Sequence, residues 1–250
     1  DSYLNDVLMV GEFLGFGGVA DFGGNCMDQL IDDSNADGYT TVGIPSDEFN
    51  IATLYDRDWP GNDWPKSEII DIINKGTHII NHLGHGNNFH VMKLDEPVRM
   101  RQGEIYGECH DIVENLTNDR YFFVYSQACL SGAFDNKSSD LEIYPYDCIA
   151  EYLTTKTEHG AFAAIMNARY GFGSIESTDG PSHRFHREFL DAVFGENILQ
   201  IGKANQDSKH DNLWRINQDA SDICKVNINV CTSVIFPYSK NTRDSFSKIM

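Results

Sequence analysis

The sequence predicts an α/β fold in which a mostly parallel sheet is covered on both faces by helices. Three observations predict it. Apolar stretches of strand length alternate with segments of helical periodicity. The stretches are continuously apolar, as strands buried on both faces must be. Loop residues separate each strand from the helix that follows.

The first strand is expected at Val7 to Gly11 and the first helix at Asn25 to Asp33. Tyr39 to Gly43 reads as a second strand, and Lys66 to Asn74 as a helix opened by Pro65 and closed by Gly76. Thr77 to Leu83 and Tyr121 to Tyr125 read as buried strands, Tyr146 to Lys156 as a helix, and Ala161 to Met166 as a fifth strand. Helices are expected at Ser182 to Phe194 and Asn197 to Lys209. Strand-like Val226 to Phe236 then leads into a polar, Ser- and Lys-bearing tail. The pattern implies one domain over residues 1–220 and a C-terminal extension over 221–250.

Composition narrows the function. With 41% hydrophobic and 23% charged residues among 250, the chain is that of a folded protein. A net charge of −19 argues against nucleic acid as a partner, because phosphate binding needs clustered Lys and Arg. It suits basic substrates or metal ions, or serves solubility alone. Apolar runs such as Ala161 to Met166 fall far short of the ~20 residues of a membrane span. The six cysteines form no C-x-x-C pair, which disfavours a zinc ribbon or a dense disulfide scaffold. The chain opens Asp1-Ser2-Tyr3 with neither an initiator Met nor a signal-peptide pattern, so it reads as a mature product or an excised fragment.

In a parallel sheet, sites form at the carboxyl ends of the strands. Two strands here empty into chemistry. Tyr121 to Tyr125 runs through Ser126, Gln127 and Ala128 into Cys129, Leu130, Ser131 and Gly132. A cysteine there stands among free backbone N–H groups, as a thiolate nucleophile and an oxyanion require. Thr77 to Leu83 empties into Gly84, His85 and Gly86. If the two strands are neighbours, His85 meets Cys129 as a general base, and Gly86 turns tightly enough to present its N–H to the oxyanion. His78, His82, His85 and His90 also resemble a metal set, but His78 and His82 share a strand face while His85 lies on the turn, so no metal site is expected. His82 is expected to pack beneath the site or to orient a neighbour.

Gly84-His85-Gly86 and Ala128-Cys129-Leu130-Ser131-Gly132-Ala133-Phe134-Asp135 resemble the Gly-His-Gly and Ala-Cys-x-x-Gly-x-Phe motifs of the gingipain-type cysteine peptidases. Gln127-Ala128-Cys129 approaches the related caspase signature without completing it. Cys148 to Glu151 and Gly160 to Ile165 resemble the helix and strand that follow the nucleophile in gingipains, and the resemblance runs from about Val7 to Phe194. The α/β subdomain that usually precedes this unit, and the family's closing Gly-Asp-Pro segment, are not recognised within these 250 residues.

The resemblance implies a caspase-like three-layer sandwich and a cysteine endopeptidase acting on protein or peptide substrates through Cys129 and His85, outside the cell or at its surface. It implies that Glu12, ending the first strand, orients the histidine. It also implies cleavage after arginine, with Asp28, or alternatively Asp21, at the pocket floor and Tyr170 and Phe172 as walls. No cofactor is required for the chemistry, and the acidic chain leaves room for a structural calcium ion. The alternatives are another caspase- or legumain-like peptidase, or a catalytically silent relative that binds a partner, or binds metal through its histidines. Asn115-Leu116-Thr117 and Asn136-Lys137-Ser138 match a glycosylation pattern that is common by chance.

Overall fold

The computed structural model describes residues 2–95, 116–137, 143, 147–156, 158–214 and 232–235. Cys109, Cys224, Cys231, Asn115, Ser138, Tyr146 and most of the 221–250 segment lie outside the described residues.

In chain order the elements are β1 (Asp6–Gly11), α1 (Gly23–Met27), β2 (Asn50–Tyr55), α2 (Lys66–Lys75) and β3 (Ile79–Leu83). Three two-residue strands follow, β4 (Gly86–Asn87), β5 (His90–Val91) and β6 (Leu94–Asp95). After them come β7 (Phe122–Ser126), α3 (Ile149–Glu151), β8 (Ala161–Asn167), α4 (Pro181–Leu190), α5 (Ile201–Asp211) and β9 (Thr232–Ile235). The main sheet has the order β2-β1-β3-β7-β8-β9. Its first five strands are parallel, and β9 runs antiparallel to β8. Strands β4 to β6 form a separate antiparallel sheet just beyond β3.

Two apolar layers sandwich the main sheet. Leu8, Val10, Ile80, Val124 and Ala164 pack on Ile69 and Ile73 of α2 and on Ile149 and Leu153 around α3. Their strand neighbours Val7, Met9, Phe123, Tyr125, Ala163 and Ile165 face the other way, against Met27, Phe189, Leu190 and Ala204 from α1, α4 and α5. Successive strand residues point to opposite faces, so a strand buried on both must be continuously apolar. That is why β1, β3, β7 and β8 were legible. Each fully buried Leu, Ile or Phe stabilises the sandwich by about 1.5–3 kcal/mol relative to exposure.

The structure corrects two elements. Tyr39 to Gly43 is not a strand: Thr41 and Ser34 exchange backbone hydrogen bonds of 2.8 and 3.0 Å in a loop, and the strand beside β1 is β2. Half of β2 is solvent-exposed on this sheet edge, so it lacks the apolar run that marks a buried strand. The helix expected over Asn25 to Asp33 ends at Met27 and gives way to one tighter turn, Asp28–Leu30. There the chain bonds sideways instead, Ile44 donating to the Leu30 carbonyl and Asp32 to the Ile44 carbonyl, both at 2.9 Å. Helix α4 continues as a wider turn over Asp191–Gly195, close to the expected end at Phe194.

Candidate active site

Val10, His82, Ser126 and Met166 lie side by side across β1, β3, β7 and β8. The segments leaving these strands therefore emerge at one rim. Glu12 follows β1 there, Gly84 and His85 follow β3, Gln127 to Cys129 follow β7, and Ala168 to Gly171 follow β8.

Cys129 is half-buried at this rim. The Gly171 N–H donates to its sulfur at 3.3 Å, and the thiol faces the Gly171 carbonyl at 3.7 Å. Burial pushes the thiol above its ordinary 9.0, an effect only partly offset by the N–H groups of Gly171 and of Cys129 itself. Burial thus favours the thiol over the thiolate. The next residue, Leu130, takes the left-handed conformation, φ 57°, which costs a branched side chain energy and turns the chain sharply off β7. Its N–H bonds to the Arg169 carbonyl at 2.8 Å, which anchors the turn.

His85 is exposed, and among the described residues its ring has no hydrogen-bond partner. Its backbone is fixed, because its N–H donates to Glu12 Oε2 at 3.1 Å. The next residue brings the two motifs together: a Cβ on Gly86 would stand 2.8 Å from the Ala128 Cβ and 3.3 Å from the Cys129 carbonyl oxygen. Only glycine lets the His85 turn lie this close to the Cys129 segment. His85 and Cys129 line one cavity of about 50 Å³, together with Gly84, Gln127, Gly171 and Phe172.

Beneath the rim lies a buried polar chain. Glu12 Oε1 is 3.1 Å from His82 Nε2, His82 Nδ1 is 2.8 Å from Ser126 Oγ, and Ser126 Oγ accepts the Ala128 N–H at 3.2 Å. Burial pushes the Glu12 carboxyl up, but the His82 hydrogen bond, the His82 and His90 charges and the His85 N–H outweigh it and hold the group below its ordinary 4.5. Glu12 is thus an anion that can only accept, so the Nε2 of His82 carries a proton toward it, while Ser126 Oγ meets the other ring nitrogen. Gly84 makes room for this arrangement, since a Cβ there would lie 2.5 Å from both Glu12 Oε2 and His82 Nε2.

Residues 1–233 match the model of peptidase family C25. The chain belongs to peptidase family C25. Its fold is similar to that of the Arg-specific cysteine proteinase gingipain R (RgpB), with a TM-score of 0.55 and 17% identity, covering 94% of this chain and 47% of that one. It is similar in the same degree, at 18% identity, to the complex of Porphyromonas gingivalis RgpB pro- and mature domains, of which it covers 48%. The chain therefore spans about half the length of these solved relatives. At these identities the likeness establishes the caspase-like sandwich. No curated protein matches the chain.

Within this C25 fold the expected site residues divide into two groups. Cys129, His85, Gly86, Glu12 and Phe172 gather at the rim, Glu12 meeting the backbone of His85 and not its ring. Asp28, Asp21 and Tyr170 are not among the cavity walls. Asp28 is exposed and ion-paired with Arg57 at 2.7 Å, Asp21 accepts the Gly17 N–H at 2.7 Å, and Tyr170 is half exposed. The four histidines do not converge either. His78 packs between Tyr3 and Phe162, His90 Nδ1 is 2.5 Å from Asp95, and His82 is bound as above. Among the described residues, the acidic groups that crowd together are Glu196, Asp207 and Asp211, with carboxylate oxygens within 4.8 Å. No helix among the described residues is long and apolar enough to cross a membrane.

Sequence reading missed a second polar cluster under Cys129. The Gln127 amide donates to His183 Nδ1 at 3.2 Å and to His186 Nδ1 at 3.0 Å, while their Nε2 atoms reach Gln29 Oε1 at 3.1 Å and Asn81 Oδ1 at 2.8 Å. Both rings are neutral: burial pushes His183 down to about 3 and His186 well below its ordinary 6.5. A signal was present in the H-x-x-H spacing within α4, which places both rings on one helix face.

Proposed function

We propose that this C25 domain hydrolyses peptide bonds as a cysteine endopeptidase, with Cys129 as nucleophile and His85 as general base and acid. His85 takes the thiol proton as the sulfur attacks the scissile carbonyl. The tetrahedral oxyanion is held by the backbone N–H groups of Cys129 and Gly86. Its collapse releases the amine, to which His85 returns the proton, and His85 then activates a water that hydrolyses the thioester. Glu12 steadies His85 by holding its backbone N–H.

The observation that supports this reading is that His85 and Cys129 line one cavity, with the Gly86 turn lying close against Ala128 and Cys129. Cys26 lines the same cavity but is buried, where Cys129 is half-buried, and burial pushes the Cys26 thiol up to about 12, so Cys129 is the more accessible sulfur. The substrate is a protein or peptide, met outside the cell or at its surface as the family resemblance implies. Peptidyl thiol-reactive probes test the proposal. Labelling should be lost in Cys129→Ala and turnover reduced by about 10²–10⁴-fold in His85→Ala. A correctly folded chain that no such probe labels would instead be a silent binding module.

A further inference from the structure

The cavity beside Cys129 is built for one kind of side chain. About 50 Å³ is free inside it. One wall comes from the segment between β1 and α1, with Leu14, Phe16 and Ala20, and Phe172 also lines the cavity. The Phe16 ring closes one side, lying so near the backbone that a Cβ on Gly173 would come within 2.5 Å of it.

The hydroxyl groups and the His183 ring of the remaining wall already bond within the protein. Ser174 donates to the Asp179 carbonyl at 3.0 Å, Ser177 accepts the Asp179 N–H at 3.1 Å, and Ser182 accepts the Phe172 N–H at 2.9 Å. The Thr178 hydroxyl donates to Asp37 at 3.1 Å and accepts from Gln29 at 2.8 Å. His183 has both ring nitrogens engaged, with Gln127 and Gln29.

No carboxylate is among the described cavity walls. The carboxylates behind them are matched: Asp179 forms a two-pronged pair with Arg184 at 2.7 and 2.6 Å, and Asp37 lies 4.0 Å from Arg187. A guanidinium or ammonium entering here would shed its water and meet no carboxylate on the described walls, and a carboxylate would meet no Lys or Arg there.

We infer that this cavity receives the substrate side chain preceding the scissile bond and selects a small uncharged residue, alanine first, with Phe16 setting the size limit. The inference rests on the peptidase reading and replaces the arginine pocket expected from Asp28 or Asp21.

The test uses the whole chain and acyloxymethyl ketone probes with Ala, Leu, Arg or Asp next to the warhead, with the rate of Cys129 labelling measured for each. Ala should react roughly 10²-fold faster than Arg or Asp. Phe16→Ala should raise the rate for Leu relative to Ala by about tenfold. Rates that favour Arg or Asp, or that do not depend on this residue, overturn the pocket and leave the peptidase reading standing. Failure of every probe to label Cys129 removes the peptidase reading, and the pocket falls with it.

Discussion

His82 Nδ1 lies 2.8 Å from Ser126 Oγ, so the next-to-last residue of β3 and the one that ends β7 are tied by a bond sealed from water. Because Ser126 also accepts the Ala128 N–H, this bond reaches the peptide next to Cys129, while the far side of His82 holds Glu12. The loops that carry His85 and Cys129 thus share one buried support.

Removing the middle of that support should cost more than removing its end. His82→Phe strands an ionised Glu12 in the core and is expected to destabilise the fold by about 3–5 kcal/mol. Ser126→Ala removes the hydrogen bonds to His82 and from the Ala128 N–H and should cost about 2 kcal/mol. Urea unfolding of the two variants gives the comparison. Equal, small losses would mean that Glu12 is not an anion held by His82.

The positions of Cys129 and His85 were legible because each follows a long apolar strand, and a rule about strand ends says where to look. Their mutual support was not. Glu12, His82 and Ser126 are distant in the chain and meet only through the register of β1, β3 and β7, which sequence periodicity does not encode. Strand β2 escaped notice because an edge strand need not be apolar. The assignment of Asp28 and Asp21 depended on the path of a loop, which periodicity does not give, and that loop pairs Asp28 with Arg57.

Gly86 offers a test of the rim that spares the core. Gly86→Ala would press its methyl against Ala128 and the His90 carbonyl, each at 2.8 Å, and separate the turn from the Cys129 segment. A shift of about 1 Å in a catalytic pair typically costs on the order of 10²-fold in rate. The expected result is a loss of kcat of that size, with a melting temperature close to wild type. Unchanged kcat would show that the contact does not position the pair.

The thiol of Cys129 supplies a pH test. Burial raises it above 9.0, so the resting enzyme holds no ready thiolate. Alkylation by a small neutral reagent should therefore keep rising through pH 9 in the His85→Ala variant. A plateau from pH 6 upward would reveal a preformed thiolate and overturn general-base activation.

The buried imidazoles under Gln127 predict acid sensitivity. His183 and His186 are neutral in the folded protein, His183 pushed down to about 3 by burial and by the Arg187 charge, whereas in the unfolded chain both take up protons near 6.5. Their folded values are depressed, so the unfolded state binds more protons below that pH. Stability is then fully present above pH 6.5 and falls as the pH drops toward 3, by about 1.4 kcal/mol per pH unit for each histidine. His78, also lowered by burial, acts in the same direction. Glu12 adds to the loss only below its ordinary 4.5, because its depressed carboxyl stabilises the fold above that value and ceases to as the pH falls through the folded one. The urea midpoint should therefore decline steadily from pH 6.5 to pH 5, before the Glu12 carboxyl titrates. His183→Gln, which keeps an amide in the Gln127 network, should flatten that decline by about one proton. A midpoint flat across this window in the wild-type chain would mean that the two rings are not held neutral, and that Gln127 does not donate to both.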